Sequence, residues 1–323
     1  MKIQTKPILD SAFKKEVLEG LTNYPKYLSS KYIYDKAGDK LFQDIMELPE
    51  YYLTGCEFEI LSTHTKLIAE YFKDNENGFD LIELGAGDGK KTKVLLKYLS
   101  EEKINFTYKP IDISQNAIDS LSKKLSEELP EIIVDAEKGE YFEVLERLKT
   151  FNTRKKVIMV LGSNIGNLLH SRAINFLTKL KDTMSNDDLI FMGFDQKKNP
   201  QTILDAYNDP TGVTAAFNKN LLVRINKEMG ANFNIDKFIH WERYDPETGT
   251  AKSYLVATEP QEVIIEALNL ELNFDAWETI HTEISQKYDD KTVNWLANEA
   301  GLEIKTTFTD NKKYYKNYIF RKK

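Results

Sequence analysis

Between residues 79 and 195 the chain repeats one pattern: a short apolar run, a turn, then a segment with apolar side chains at helical spacing. The apolar runs are FDLIEL, INFTYKPIDIS, EIIVDAE, KKVIMVLGSNIGN and DLIFMGFD. Helical spacing follows in TKVLLKYL, in Asn116–Leu129, in YFEVLERLK and in Arg172–Met184. Strands that alternate with helices are joined by crossovers, and crossovers make neighbouring strands parallel. Five strands in this rhythm predict a doubly wound parallel sheet, with ligands expected at the carboxyl ends of its strands.

Outside this region the pattern changes. The first sixty residues read as helical and irregular, and 57–73 (EFEILSTHTKLIAEYFK) as a helix. Residues 197–285 lose the strand–helix rhythm and read as an insertion. KTVNWLANEAG then forms an amphipathic helix stopped at Gly301, and LEIKTTFTD with KNYIFRKK alternates like a β-hairpin. The expected class is therefore α/β: a Rossmann-like, doubly wound sheet with a terminal antiparallel hairpin, plus an inserted α+β substrate-binding domain. The expected bounds are 1–60 for an N-terminal helical cover contributing to the substrate site, 61–196 with 286–323 for the sheet domain, and 197–285 for the insertion.

Charge and composition narrow the function. A net charge of −7 without a Lys/Arg cluster argues against a nucleic-acid partner. The single cysteine, Cys56, excludes an intrachain disulfide and fits a reducing compartment. His64, His170, His240 and His281 show no ligand spacing, so no metal site is expected. No apolar run approaches a membrane span, and the N-terminus lacks an apolar leader core. A cytoplasmic protein, monomeric and acting on a small molecule, is the expectation.

The turn after the first strand reads Glu83-x-Gly85-x-Gly87-x-Gly89. Glycines let the backbone approach a ligand, and the next helix opens with free N–H groups. A dinucleotide fingerprint would place its last glycine at 90, which is Lys. The fit is to E-x-G-x-G-x-G, the first motif of class I S-adenosylmethionine (SAM) methyltransferases. On the turn alone, a tight connection between strand and helix explains the glycines as well. Asp112, ending the second strand, can accept both ribose hydroxyls of an adenosyl group, or serve as a helix cap. The pair Glu140-Tyr141 follows the third strand, where a carboxyl and a ring can meet adenine.

Longer blocks are more specific. Lys31-x-x-Tyr34-Asp35-x-x-Gly38-x-x-Leu41-Phe42 precedes Leu48-Pro49-Glu50-Tyr51-Tyr52-x-Thr54-x-x-Glu57. Leu161-Gly162-Ser163-Asn164-Ile165-Gly166-Asn167, Ala206-Tyr207, Gly212-Val213-Thr214-Ala215-Ala216-Phe217-Asn218 and Thr282-Glu283-Ile284-Ser285-x-Lys287-Tyr288 follow. Together these resemble the histidine-specific Nα-methyltransferases of ergothioneine biosynthesis, relatives of the fungal dimethylallyltryptophan N-methyltransferases.

The resemblance implies methylation of the α-amino group of free L-histidine, to trimethylhistidine, with SAM as donor. It places Gly85, Gly87, Lys91, Asp112, Glu140 and Tyr141 at the cofactor. It places Tyr34, Gly162, Asn167 and Tyr207 around the amino and carboxylate groups, with Tyr34 and Gly162 orienting the amine. Tyr52, Glu283 and Ser285 belong at the imidazole end, where Glu283 can accept an N–H. The sequence departs from the family at two places: Glu140-Tyr141 stands for Asp-Phe, and Ser253 stands where a Met often meets the imidazole. Another aromatic or modified amino acid is the alternative substrate; a nucleotide-dependent oxidoreductase and a non-catalytic binding protein are the alternatives of other classes.

Overall fold

The apolar run at 79–84 becomes a strand buried at every residue, and a seven-stranded sheet is built around it. The computed structural model describes residues 9–74, 76–87, 89–112, 115–139, 141–151 and 154–323. Its chain divides into two compact units: a larger one, Leu53–Lys197 with Gln286–Lys323, and a smaller one, Met1–Tyr52 with Lys198–Ser285.

In the larger unit the sheet strands are β1 (Phe79–Leu84), β2 (Phe106–Asp112), β3 (Glu137–Lys138), β4 (Lys155–Val160), β5 (Leu189–Asp195), β6 (Leu302–Thr309) and β7 (Tyr315–Lys322). Their order is β6-β7-β5-β4-β1-β2-β3. The first five are parallel, and β7 runs antiparallel to both β5 and β6. The register pairs Phe79 with Phe106 on one side and with Lys155 on the other. Strand order reverses at β1, which makes the carboxyl ends of β1 and β4 the crevice of an open α/β sheet. The flanking helices are α1 (Tyr52–Phe72), α2 (Thr92–Glu101), α3 (Gln115–Glu128), α4 (Tyr141–Phe151), α5 (His170–Thr183) and α6 (Asp290–Glu299). Asp289 caps α6 by accepting from Thr292 N–H, and the turn after it runs through Gly301 at φ +74°.

Two expectations change. The run EIIVDAE contributes only a bridge from Val134 to Tyr108 and the two-residue β3. It lies at the sheet edge with one neighbour, and Ile133 is 65% exposed, so burial does not hold a longer strand there. The boundary expected at 60 falls at Tyr52/Leu53 instead. α1 is uninterrupted, and its buried face runs Leu53, Cys56, Glu57, Ile60, Leu61, Ile68 and Phe72. Residues before it share the smaller unit with the insertion and form no separate domain.

The smaller unit holds a four-stranded sheet in the order Lys26–Tyr27, Thr279–Gln286, Thr250–Ala257, Phe238–Asp245. Lys26–Tyr27 runs parallel to its neighbour, and the last two strands form an antiparallel pair. The helix Val213–Met229 supplies Phe217, Leu221, Leu222 and Ile225 to its core, beside Phe238, Leu255 and Phe274. No helix among the described residues is long and apolar enough to cross a membrane.

Candidate active site

In the larger unit, Gly85, Gly87 and Gly89 all have positive φ (+74°, +55° and +65°), which only glycine adopts without strain. Gly85 N–H donates to the Ile111 carbonyl at 2.9 Å, fixing the turn to the end of β2. A Cβ on Gly85 would lie 2.7 Å from Tyr141 Oη, so the first residue of α4 reaches back to this turn. A Cβ on Gly87 would meet nothing within 4 Å among the described residues. Asp112 is half-buried at the end of β2, and its carbonyl accepts from Gly139 N–H at 3.1 Å. Glu140 lies outside the described residues.

The fourth strand's turn meets the first. A Cβ on Gly162, itself at φ +75°, would lie 3.5 Å from Lys91 Nζ and 3.8 Å from Asn164 Oδ1. Asn167 ends the short helical turn Asn164–Asn167 and is exposed. Ser163 anchors that turn by accepting from Asp195 N–H at 3.1 Å. Thus Gly85, Lys91, Tyr141 and Gly162 converge on one edge of the sheet.

Glu83, the acidic member of the turn motif, points inward. Its carboxylate accepts from Thr92 Oγ1 at 2.7 Å and from Tyr108 Oη at 2.5 Å. Burial, opposed by those two hydrogen bonds, pushes this carboxyl up to about 7. It ties β1 to β2 and to the start of α2.

In the smaller unit, Tyr207 is buried and its hydroxyl lies 2.8 Å from Ser285 Oγ. Its carbonyl meets His240 Nε2 at 2.9 Å. Tyr34 packs edge-on against Phe42 and Phe217, with centroids 5.6 and 5.4 Å away. Desolvation, then the neighbouring Glu283, Tyr51 and Tyr207, push its phenol well above the ordinary value. The residue is nonetheless 39% exposed. Tyr34, Tyr207, Glu283 and Ser285 therefore gather in one place.

Two expected substrate residues sit differently. Tyr52 accepts from Lys198 Nζ at 2.8 Å, and that ammonium lies 4.2 Å from the ring centroid. Ser253 is buried and donates to Glu242 Oε2 at 2.7 Å, while its carbonyl accepts from Thr282 Oγ1 at 3.1 Å. The hairpin register sets Ser253 directly opposite Glu242. A carboxylate thus backs this position, which the linear sequence does not reveal. No sequence motif marks Lys198 or Glu242. Glu57 had a signal: a charged residue at a core position of the α1 stripe.

A family model described as histidine-specific methyltransferase, SAM-dependent, matches residues 13–322. The chain belongs to the SAM-dependent histidine-specific methyltransferases. It is 35% identical over 300 residues to the histidine N-alpha-methyltransferase of Mycolicibacterium smegmatis, covering 93% of this chain and 91% of that one. The Mycobacterium tuberculosis histidine N-alpha-methyltransferase is 34% identical over 299 residues, with the same coverage of 93% and 91%. A 4-dimethylallyltryptophan N-methyltransferase of Aspergillus fumigatus is 24% identical over 335 residues, 96% of this chain and 95% of that one. Family membership removes the oxidoreductase alternative and makes SAM the cofactor. The turn fits it: open space over Gly87, an acid at the end of the neighbouring strand and a cation at Lys91 make a donor set for a ribose and an amino-acid carboxylate.

Proposed function

We propose that this histidine-specific methyltransferase acts on the α-amino group of free L-histidine and carries it to the trimethylated product. The observation that carries this reading is the gathering of Tyr34, Tyr207, Ser285 and Glu283. Hydroxyl donors can bind a carboxylate without a buried cation, and Glu283 can accept an imidazole N–H. A site built from such groups discriminates against analogues that leave them unpaired.

SAM, when bound, supplies an electrophilic methyl group. Gly85, Gly87 and Lys91 would hold it at the edge of the sheet, with Asp112 at its ribose and Glu140-Tyr141 at its adenine. The remaining work is positioning, because an in-line displacement needs a neutral amine lone pair aimed at the reacting carbon. Tyr34 and the Gly162 backbone would orient that amine. The Tyr34 phenol keeps its proton, because desolvation and its neighbours raise it well above ordinary. It therefore acts as a neutral hydrogen-bonding group, and the amine proton leaves to water. Asn167 and Tyr207 would receive the carboxylate, Tyr52 the ring's edge. A monomer in a reducing cytoplasm completes the proposal, on the grounds of composition and the single cysteine.

The Ser253–Glu242 pair favours one variation, a modified histidine with an added polar group, because this wall carries a hydroxyl backed by a carboxylate. A competition assay decides. Purified protein, SAM and an equimolar mixture of the twenty amino acids plus histidine derivatives are incubated, and products are read by mass spectrometry. Mass increases of one, two and three methyl groups confined to histidine are expected. Exclusive methylation of another amino acid would overturn the substrate.

A further inference from the structure

Glu57 is a fully enclosed carboxylate near the cofactor edge, with no exposed surface. Its Oε2 receives Lys91 Nζ at 2.5 Å and Gly162 N–H at 2.7 Å. Its Oε1 receives Tyr315 Oη at 3.1 Å and Asn317 Nδ2 at 3.0 Å. A Cβ on Gly193 would collide with Oε1 and with Tyr315 Oη, so a glycine in β5 makes the space for it. Isolated burial of a carboxylate is costly, and a place in the middle of a helix's apolar face is an unusual one for it. Four donors, one of them a cation, satisfy it here. Three segments far apart in sequence are tied to one side chain: the residue before α2, the turn after β4, and β7.

The geometry points to Glu57 as a positioning residue for methyl transfer. Its carboxylate holds the Lys91 ammonium and the plane of the Leu161–Gly162 peptide in one fixed relation. This rests on the reading that Lys91 serves the cofactor and Gly162 the amine. Neither group is held by its own element: Lys91 caps α2 without a side-chain cap bond, and Gly162 sits in a left-handed turn. One oxygen of Glu57 serves both.

Glu57→Gln tests the idea while preserving shape. An amide has a single acceptor oxygen, so its NH2 group must face one of the two donor pairs. Cofactor affinity is read by titrating S-adenosylhomocysteine, and kcat and the KM for histidine are read well below the melting temperature. The expected result is a cooperative fold with cofactor Kd raised and kcat lowered, each about tenfold or more, the loss of one charge-assisted bond. A structural role would lower only the folded fraction, leaving Kd and KM unchanged; that result overturns the proposal. Lys91→Met and the double variant complete the cycle. If Glu57 acts through Lys91, the double variant's cofactor affinity should be no worse than that of the weaker single; losses that multiply overturn the coupling. Loss in Lys91→Met with none in Glu57→Gln overturns the positioning role alone. No loss in either overturns the assignment of Lys91 to the cofactor, and this inference with it.

Discussion

A phenol raised by desolvation and by the adjoining Glu283, Tyr51 and Tyr207 stays neutral across the working pH range. Tyr34 can then exchange hydrogen bonds with an amine but does not serve as a phenolate base. Tyr34→Phe should lower kcat by about tenfold to a hundredfold, the value of one active-site hydrogen bond of about 1–3 kcal/mol. The rise of kcat/KM toward alkaline pH should survive the change, because it belongs to deprotonation of the substrate amine. A flat profile in the variant would make Tyr34 the titrating group. Glu283 separates from it by a different signature. Glu283→Ala should raise the KM for histidine about tenfold or more while leaving S-adenosylhomocysteine affinity unchanged, since its proposed partner is the imidazole and not the cofactor. Unchanged histidine kinetics would remove Glu283 from the imidazole.

At the scale of elements, the helix Val213–Met229, whose Phe217 packs on Tyr34, shows how one side of the proposed site is fixed. Gly212 at φ +79° brings the chain in, and Gly230 at φ +62° ends it. Asp209 supplies the cap from outside, accepting from Val213 N–H at 3.0 Å and Thr214 N–H at 2.7 Å. Burial alone would raise this carboxyl, but the Thr211 hydroxyl and the amides of Thr214 and Val213 outweigh it and bring it down to about 2. Its contribution is therefore complete above the unfolded carboxylate value of about 3.9 and disappears as pH falls toward 2. Asp209→Ala should cost about 1–2 kcal/mol in denaturant unfolding at pH 7. The gap from the parent should narrow at pH 3; a gap of constant size would mean the charge is not the stabilising feature. Helices were readable from their periodicity, and the central strands from continuous apolar runs that a sheet covered on both faces requires. FDLIEL is buried throughout and keeps its parallel neighbours, whereas EIIVDAE has the composition of a strand but only one side to pair with. Register is less readable. Ser253 faces Glu242 across a hairpin, and Tyr207 meets Ser285 across 78 positions, so both contacts depend on pairing that no local pattern encodes.

Across the whole molecule, each unit is assembled from two separated stretches of chain, with breaks at 52/53, 197/198 and 285/286. The sequence marked the insertion through its loss of strand–helix rhythm, but not the dependence of that insertion on the N-terminal segment. The core of the smaller unit contains Phe13, Val17, Leu21, Leu28, Ile33 and Ile45 from before α1. Lys26–Tyr27 also supplies the edge strand beside Thr279–Gln286. Six buried apolar side chains at about 1.5–3 kcal/mol each contribute on the order of 10 kcal/mol, as much as the whole stability of an ordinary domain. A fragment of residues 198–285 alone should therefore remain unfolded, with collapsed amide dispersion in its NMR spectrum and no cooperative thermal transition. Adding a peptide of residues 9–52 should restore some dispersion, because the missing core residues and the edge strand return together. A fragment that folds unaided would mean the N-terminal segment is an accessory to this unit instead of part of its core.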